Sequence, residues 1–90
     1  MAFEWDPAKS RANHRKHGFG FEEAKAVFAD SQLYVEFDDR EYGEDRWIAI
    51  GRLGKIIAVV IYTDRSGVLR LISARKASPD EETLYYAHWI

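Results

Sequence analysis

The chain has 90 residues, 47% hydrophobic and 31% charged, with no cysteine and a formal net charge of −2. That size supports one modest core, so a single domain over residues 1–90 is expected, and the missing cysteines exclude a disulfide framework, a cysteine zinc site and a thiol nucleophile. The longest apolar run, residues 56–62, has strand length rather than the ~18 residues of a membrane span; the acidic, aromatic start shows no secretory pattern, so the expected compartment is the cytoplasm.

Phe3-Glu4-Trp5 alternates apolar and polar and reads as a short first strand. Asp6 then offers an N-cap and Pro7 a first helical residue. The helix is predicted to run to about Lys16-His17, where Gly18 supplies a left-handed cap. Arg15, Lys16 and His17 suit its C-terminal dipole. Only Ala8 and Ala12 offer it an apolar stripe. A second helix, residues 21–29, would place Phe21, Ala24, Val27 and Phe28 on one face.

Strands follow at residues 33–37, 47–50, 56–62 and 68–74, joined by a charged connection (38–45) and by turns at 51–54 and 64–67. Residues 56–62, almost unbroken and β-branched, read as a central strand covered on both faces. Ser78-Pro79-Asp80-Glu81 opens a C-terminal helix with a cap, a proline and an acidic first turn. Helices and strands are segregated along the chain, which predicts the α+β class.

Charge is unevenly spread. Residues 26–46 sum to −5: Asp30, Glu36, Asp38, Asp39, Glu41, Glu44 and Asp45 outweigh Arg40 and Arg46. Residues 47–76 sum to +5, with Arg52, Lys55, Arg65, Arg70, Arg75 and Lys76 against Asp64 alone. One reading is ordinary surface scatter. The other is a positive face for a polyanion, contacted through residues such as Arg52, Arg65 and Lys76, with an acidic hairpin elsewhere.

The last strand carries the most chemistry. Period two puts Val68, Arg70, Ile72 and Ala74 on one face and Leu69, Leu71, Ser73 and Arg75 on the other. Arg70, inside so apolar a strand, needs a partner, most simply a carboxylate on a neighbouring strand. Arg75, at the strand end, is either a rim residue or a bidentate phosphate clamp that stabilises charge in phosphoryl transfer. His14 and His17 stand three apart on a helix, but no third ligand has a fitting spacing, so no metal or other cofactor is expected. His17 is an exposed helix-end histidine or a proton shuttle. Lys16 and Lys9 are surface lysines or phosphate contacts. No serine–histidine–acid order, phosphate loop or dinucleotide motif is present.

A broader pattern joins these pieces. Phe3-Glu-Trp-Asp6, Lys9, Asn13 and Lys16-His17-Gly18-x-x-Phe21-Glu-Glu-Ala24 resemble the start of the BrnT family of toxins. Arg46-x-x-x-Ile50-Gly51, Thr63-x-Arg65, Ile72-Ser-Ala-Arg75-x-Ala77, Glu81 and Tyr85 resemble its second half, in the same order and at similar spacing. The resemblance implies a type II toxin with a RelE-like fold, a mainly four-stranded antiparallel sheet with two N-terminal helices and a C-terminal helix. It implies a metal-independent ribonuclease that arrests translation, acting on RNA free or on the ribosome. It also implies a ribbon-helix-helix antitoxin (BrnA-like) whose complex with the toxin binds operator DNA. Carried over by residue, Lys16 and His17 become candidates for proton transfer and Arg75 the phosphate clamp, with Arg65, Ser73 and Thr63 in support.

Two features depart from the family pattern. The stretch after Ala77, often basic in the family, is Ser78-Pro-Asp-Glu-Glu82 here, and the sequence pI is about 5.9. Two further readings therefore stand beside the nuclease: a non-catalytic module that holds an antitoxin and corepresses its operon, and a metal-dependent hydrolase using His14 and His17.

Overall fold

The structure, a computed structural model, describes residues 1–89. Its elements are β1 (Ala2–Glu4), α1 (Pro7–His17), α2 (Phe21–Ala24) continued by a 3-10 turn (Lys25–Ala29), β2 (Tyr34–Asp38), β3 (Arg46–Leu53), β4 (Ile56–Arg65), β5 (Val68–Lys76) and α3 (Pro79–Ala87). The α+β class holds. The expected four-stranded antiparallel sheet does not: among the described residues the sheet has five strands, ordered β1-β5-β4-β3-β2. β2 to β5 form an antiparallel meander, and β1 lies parallel to β5 with Ala2 opposite Val68. Alternation marks 3–5 as a strand but says nothing about which distant strand it joins.

The caps form as expected. Asp6 accepts from the Ala8 amide at 2.9 Å, and Gly18 takes φ +88° while its amide bonds the His14 carbonyl. The packing of α1 is different from the alanine stripe read in the sequence, because Ala8 and Ala12 are both exposed. A polar residue docks the helix instead. Asn13, buried, donates to the Phe19 carbonyl at 2.8 Å and accepts from the Ala74 amide of β5 at 3.2 Å. Ser10 accepts from the Phe21 amide at 2.8 Å. Asn13→Ala would strand a buried carbonyl and a buried amide, so we expect a loss of about 2 kcal/mol, read as a lower urea midpoint.

The second helix is shorter than its periodicity suggests. After Ala24 the chain tightens into 3-10 winding, which sets the Val27 carbonyl against Gly51 of β3. A Cβ at Gly51 would lie 2.9 Å from that oxygen, so only glycine admits the approach. Gly51 is thus inside a strand, not in the turn expected at 51–54; that turn narrows to Gly54-Lys55. Phe21, Ala24 and Val27 are buried as their spacing predicts.

A register shift alters β5. Ser73 pairs with Ile61 but Leu71 with Tyr62, leaving Ile72 as an extra residue. Side-chain alternation flips there, so the two faces expected for this strand are wrong past residue 71. Ala74 joins Leu69 and Leu71 under α1 and α2, while Arg75 and Ser73 turn to the same face as Arg70.

The core is therefore split by the sheet. On one side Phe19, Phe21, Ala24 and Val27 pack onto Ala49, Ala58, Val60, Tyr62, Leu69, Leu71 and Ala74. On the other, α3 lays Tyr85 against Ile50, Ile57 and Val59. The central strand is covered on both faces, as expected. Tyr85 belongs to this core, whereas Tyr86 and Trp89 stay exposed. Its hydroxyl donates to Asp30, which also accepts the backbone amides of Gln32 and Arg52. Burial alone would raise the Asp30 pKa; these donors outweigh it and lower it.

Candidate functional site

α3 covers only one end of its face of the sheet. Ile48 and Ile61 remain half-buried beyond it, and polar side chains surround them. By register this open face carries Glu36 and Asp38 of β2, Arg46 of β3, Thr63 and Arg65 of β4, and Arg70, Ser73 and Arg75 of β5.

Arg75 is the most tightly organised of them. Its two terminal nitrogens donate to the two carboxylate oxygens of Glu81, in the first turn of α3, at 2.6 and 2.7 Å. Glu81 also accepts from the Ser78 amide at 2.8 Å as part of the helix capping box. The fork is fixed in plane, yet 44% of the Arg75 side chain is exposed. The Glu81 bonds raise the Arg75 pKa further, against partial burial and the nearby charge of Arg40. Reciprocally, Arg75 draws Glu81 down to about 2 from 4.5.

Arg40 and Tyr42 were not singled out by sequence reasoning, which counted Arg40 only as an offset to acidic charge; Arg46 entered through the family motif but with no role. Arg40 grips buried Asp38 through Nε and a terminal nitrogen at 3.0 Å each, and the Tyr42 hydroxyl donates to the same carboxylate. Arg46 stacks 3.8 Å from the Tyr42 ring centre. The Arg40 guanidinium is the main cause pulling Asp38 down to about 2. Thr63, buried, donates to the Asp45 carbonyl at 2.7 Å and so pins the base of this loop. Its hydroxyl is committed to that carbonyl. Asp38-x-Arg40-x-Tyr42 has the two-residue spacing of a strand but runs from the end of β2 into an irregular connection, so spacing alone does not point to this contact.

Each arginine of this face has a carboxylate beside it. Arg70 meets Glu4 of β1 at 3.5 Å, the neighbouring-strand partner its position demanded, and Arg46 and Arg65 share Glu44 at 3.4 Å. These long, partly exposed contacts are worth about 0–1 kcal/mol and give way readily to another anion. The bidentate pairs of Arg75 and Arg40 are built to last.

The remaining candidates divide by place. Lys9, Asn13, Lys16 and His17 follow helical spacing and share one stripe of α1; Asn13 docks that stripe on Ala74, one residue before Arg75. Lys9, Lys16 and His17 are exposed and make no hydrogen bond or ion pair with Arg75 among the described residues. Lys76 pairs with Ala58 and points to the opposite face from Arg75. Arg52 ends β3 beside Tyr85 and Tyr86, at the far end of α3 from Glu81. Arg65 shares the face with Arg75 but sits near the β4–β5 turn, roughly 20 Å along the strand. Ser73 is exposed on that face, between Arg70 and Arg75. Among the described residues no three histidine, aspartate or glutamate side chains form a metal-ligand group.

The two low carboxyl pKa values make stability acid-sensitive. A depressed carboxyl contributes stability above its unfolded value, and that contribution fades as pH falls through the folded one. The urea midpoint should therefore hold from neutral pH to about 4.5 and fall between there and about 2. Glu81→Gln should remove on the order of 2 kcal/mol of this dependence, less than full linkage because Arg75 is part exposed.

No helix among the described residues is long and apolar enough to cross a membrane. No curated protein matches the chain. A family model, described as the ribonuclease toxin BrnT of type II toxin–antitoxin systems, matches residues 5–81. That span includes α1 with its Asn13 dock, the arginine face and Glu81, and the chain belongs to the BrnT family of type II ribonuclease toxins.

Proposed function

We propose that the protein cleaves RNA without a metal, by attack of a ribose 2′-hydroxyl on the adjacent phosphate. The 2′-oxygen–phosphorus bond forms as the phosphorus–5′-oxygen bond breaks, leaving a 2′,3′-cyclic phosphate. The 2′-hydroxyl proton passes to a base and the 5′-oxygen takes one from an acid; His17 and Lys16 supply these groups. Arg75 stabilises the charge that builds on the phosphate oxygens. Ser73, Arg65, Lys9, Lys76 and Arg52 serve the flanking RNA backbone, while Thr63 acts indirectly, by holding the 38–45 loop.

The observation that carries this reading is the exposed Arg75 fork, braced by Glu81 at the end of β5; the α1 stripe that bears Lys16 and His17 docks on the neighbouring residue, Ala74, whose side chain lies on the opposite face of the sheet from Arg75. The protein works in the cytoplasm as a single domain, and a ribbon-helix-helix antitoxin neutralises it and takes the pair to operator DNA. Purified protein with a short RNA should yield a cyclic phosphate end in the presence of chelator. Replacing the ribose before the cut with 2′-deoxyribose should stop the reaction. Cleavage of that deoxy substrate at an equal rate would contradict the proposed chemistry.

A second reading has its own support. Because every arginine of the face has a carboxylate at hand, the face is nearly self-neutralised, as suits a module that binds an antitoxin without catalysis. An inert protein that still binds its antitoxin tightly would favour it.

A further inference from the structure

The two edges of the sheet differ. β1 is three residues long, and the stretch of β5 beyond it is met by α1 through Asn13. β2 is a five-residue edge strand in regular register with β3 and, among the described residues, with no strand on its outer side. Its sequence, Tyr-Val-Glu-Phe-Asp, has none of the lysine, proline or bulge that ordinarily guards such an edge. On the face shared with α1 and α2 it shows Val35 and Phe37, 42% and 48% exposed, with Phe37 edge-on to Trp47. The helices stop short of this region. An open groove of about 390 Å³ crosses this face from Leu33 and Val35 over Trp47 and Tyr62 to Leu69 and Met1.

The other face of the strand is acidic. Glu36 lies there, and the connection that follows carries exposed Asp39, Glu41 and Asp45 along with Glu44, which is paired with Arg46 and Arg65. A strand added at this edge would meet an apolar row on one side and carboxylates on the other. A second copy of the chain is the poorer occupant: antiparallel pairing that sets Val35 against Phe37 of the copy also sets Glu36 against Glu36.

We propose that the β2 edge, with its groove, takes an extended segment of a partner chain that alternates large apolar side chains with lysine or arginine. The edge of β2 lies three strands from β5, although Glu36 shares the open face with Arg75, and the proposal does not depend on the ribonuclease reading. Backbone hydrogen bonds hold the added strand, Val35, Phe37 and Trp47 receive its apolar row, and Glu36 with the acidic connection selects its cations.

The probe is a blocked peptide of about nine residues alternating valine and lysine, long enough to span β2. It should bind saturably and slow amide hydrogen exchange over residues 34–38. Two controls, a valine–glutamate peptide and a block-ordered peptide of the same lysine and valine content, should bind at least about tenfold more weakly. Val35→Lys with Phe37→Lys, both at exposed positions, should keep the thermal midpoint and lose at least about tenfold in affinity for the alternating peptide. Absence of binding, protection outside β2, or equal binding of either control would overturn the proposal. So would a parent dimer in sedimentation that the double variant converts to monomer, since a second copy would then hold the edge.

Discussion

Arg75→Ala should lower the rate of RNA cleavage by about 10²–10³-fold while leaving the protein folded. The magnitude is that of removing one well-placed donor from a developing oxyanion. The fold survives because the side chain is 44% exposed and its main contact, Glu81, keeps the Ser78 amide as a partner when the guanidinium is gone. Arg75→Lys separates charge from shape. Lysine keeps the positive charge but has no planar fork to match two oxygens, so activity should stay well below the parent. Single-turnover cleavage of a short RNA, beside urea titrations of all three proteins, checks both halves. A rate unchanged in Arg75→Ala would remove this residue from the chemistry.

Tyr85→Ala should be the most damaging substitution for stability, at about 3–5 kcal/mol. Tyr85 is fully buried against Ile50, Ile57 and Val59, and truncation leaves a cavity where α3 meets the sheet. Asp30 also loses a donor, though the Gln32 and Arg52 amides remain. Against a total stability of about 5–15 kcal/mol, that loss brings the domain close to unfolding. Tyr85→Phe keeps the ring and loses only the hydroxyl, so it should cost about 1–2 kcal/mol. The contrast also bears on function, because Glu81 rides on α3; a loosened helix releases the brace on Arg75. Urea midpoints measured across the three proteins should fall in the order parent, Tyr85→Phe, Tyr85→Ala.

Local chemistry in this chain was readable, and distant pairing was not. Asp6, Gly18 and Ser78 announce helix ends because capping involves residues a few positions apart. The buried face of Phe21, Ala24 and Val27 followed from helical period, and the cover on both faces of residues 56–62 from their unbroken β-branched run. The Arg70–Glu4 pair was anticipated in kind, since a cation in an apolar strand needs a partner. The parallel seat of β1 on β5 was hidden because hydrophobic pattern does not name a strand's neighbour. The extra residue at Ile72 was hidden too, and it mattered: strict alternation put Arg75 on the face of Leu69 and Leu71, when the bulge places it with Arg70 and Ser73.

Polar anchoring escaped the reading for another reason. Asn13 holds α1 where two alanines looked like the packing stripe, and a buried amide leaves no hydrophobic signature. Tyr42 and Arg40 act through an irregular loop whose composition looked merely acidic. Family resemblance picked out Arg75 and Glu81 separately; the structure shows them as one unit. It also shows that the acidic stretch after Ala77 supplies Glu81, which braces Arg75.

RNA cleavage through Arg75 is the central expectation for this protein. The most direct measurement is induction of the parent chain and of Arg75→Ala in bacteria at equal expression, following protein synthesis and mapping new RNA 5′ ends over the first minutes. The parent should stop synthesis and generate fresh ends at discrete sites, and the variant should do neither. Soluble, folded parent that produces no arrest and no new ends would contradict the account and leave a binding module in its place.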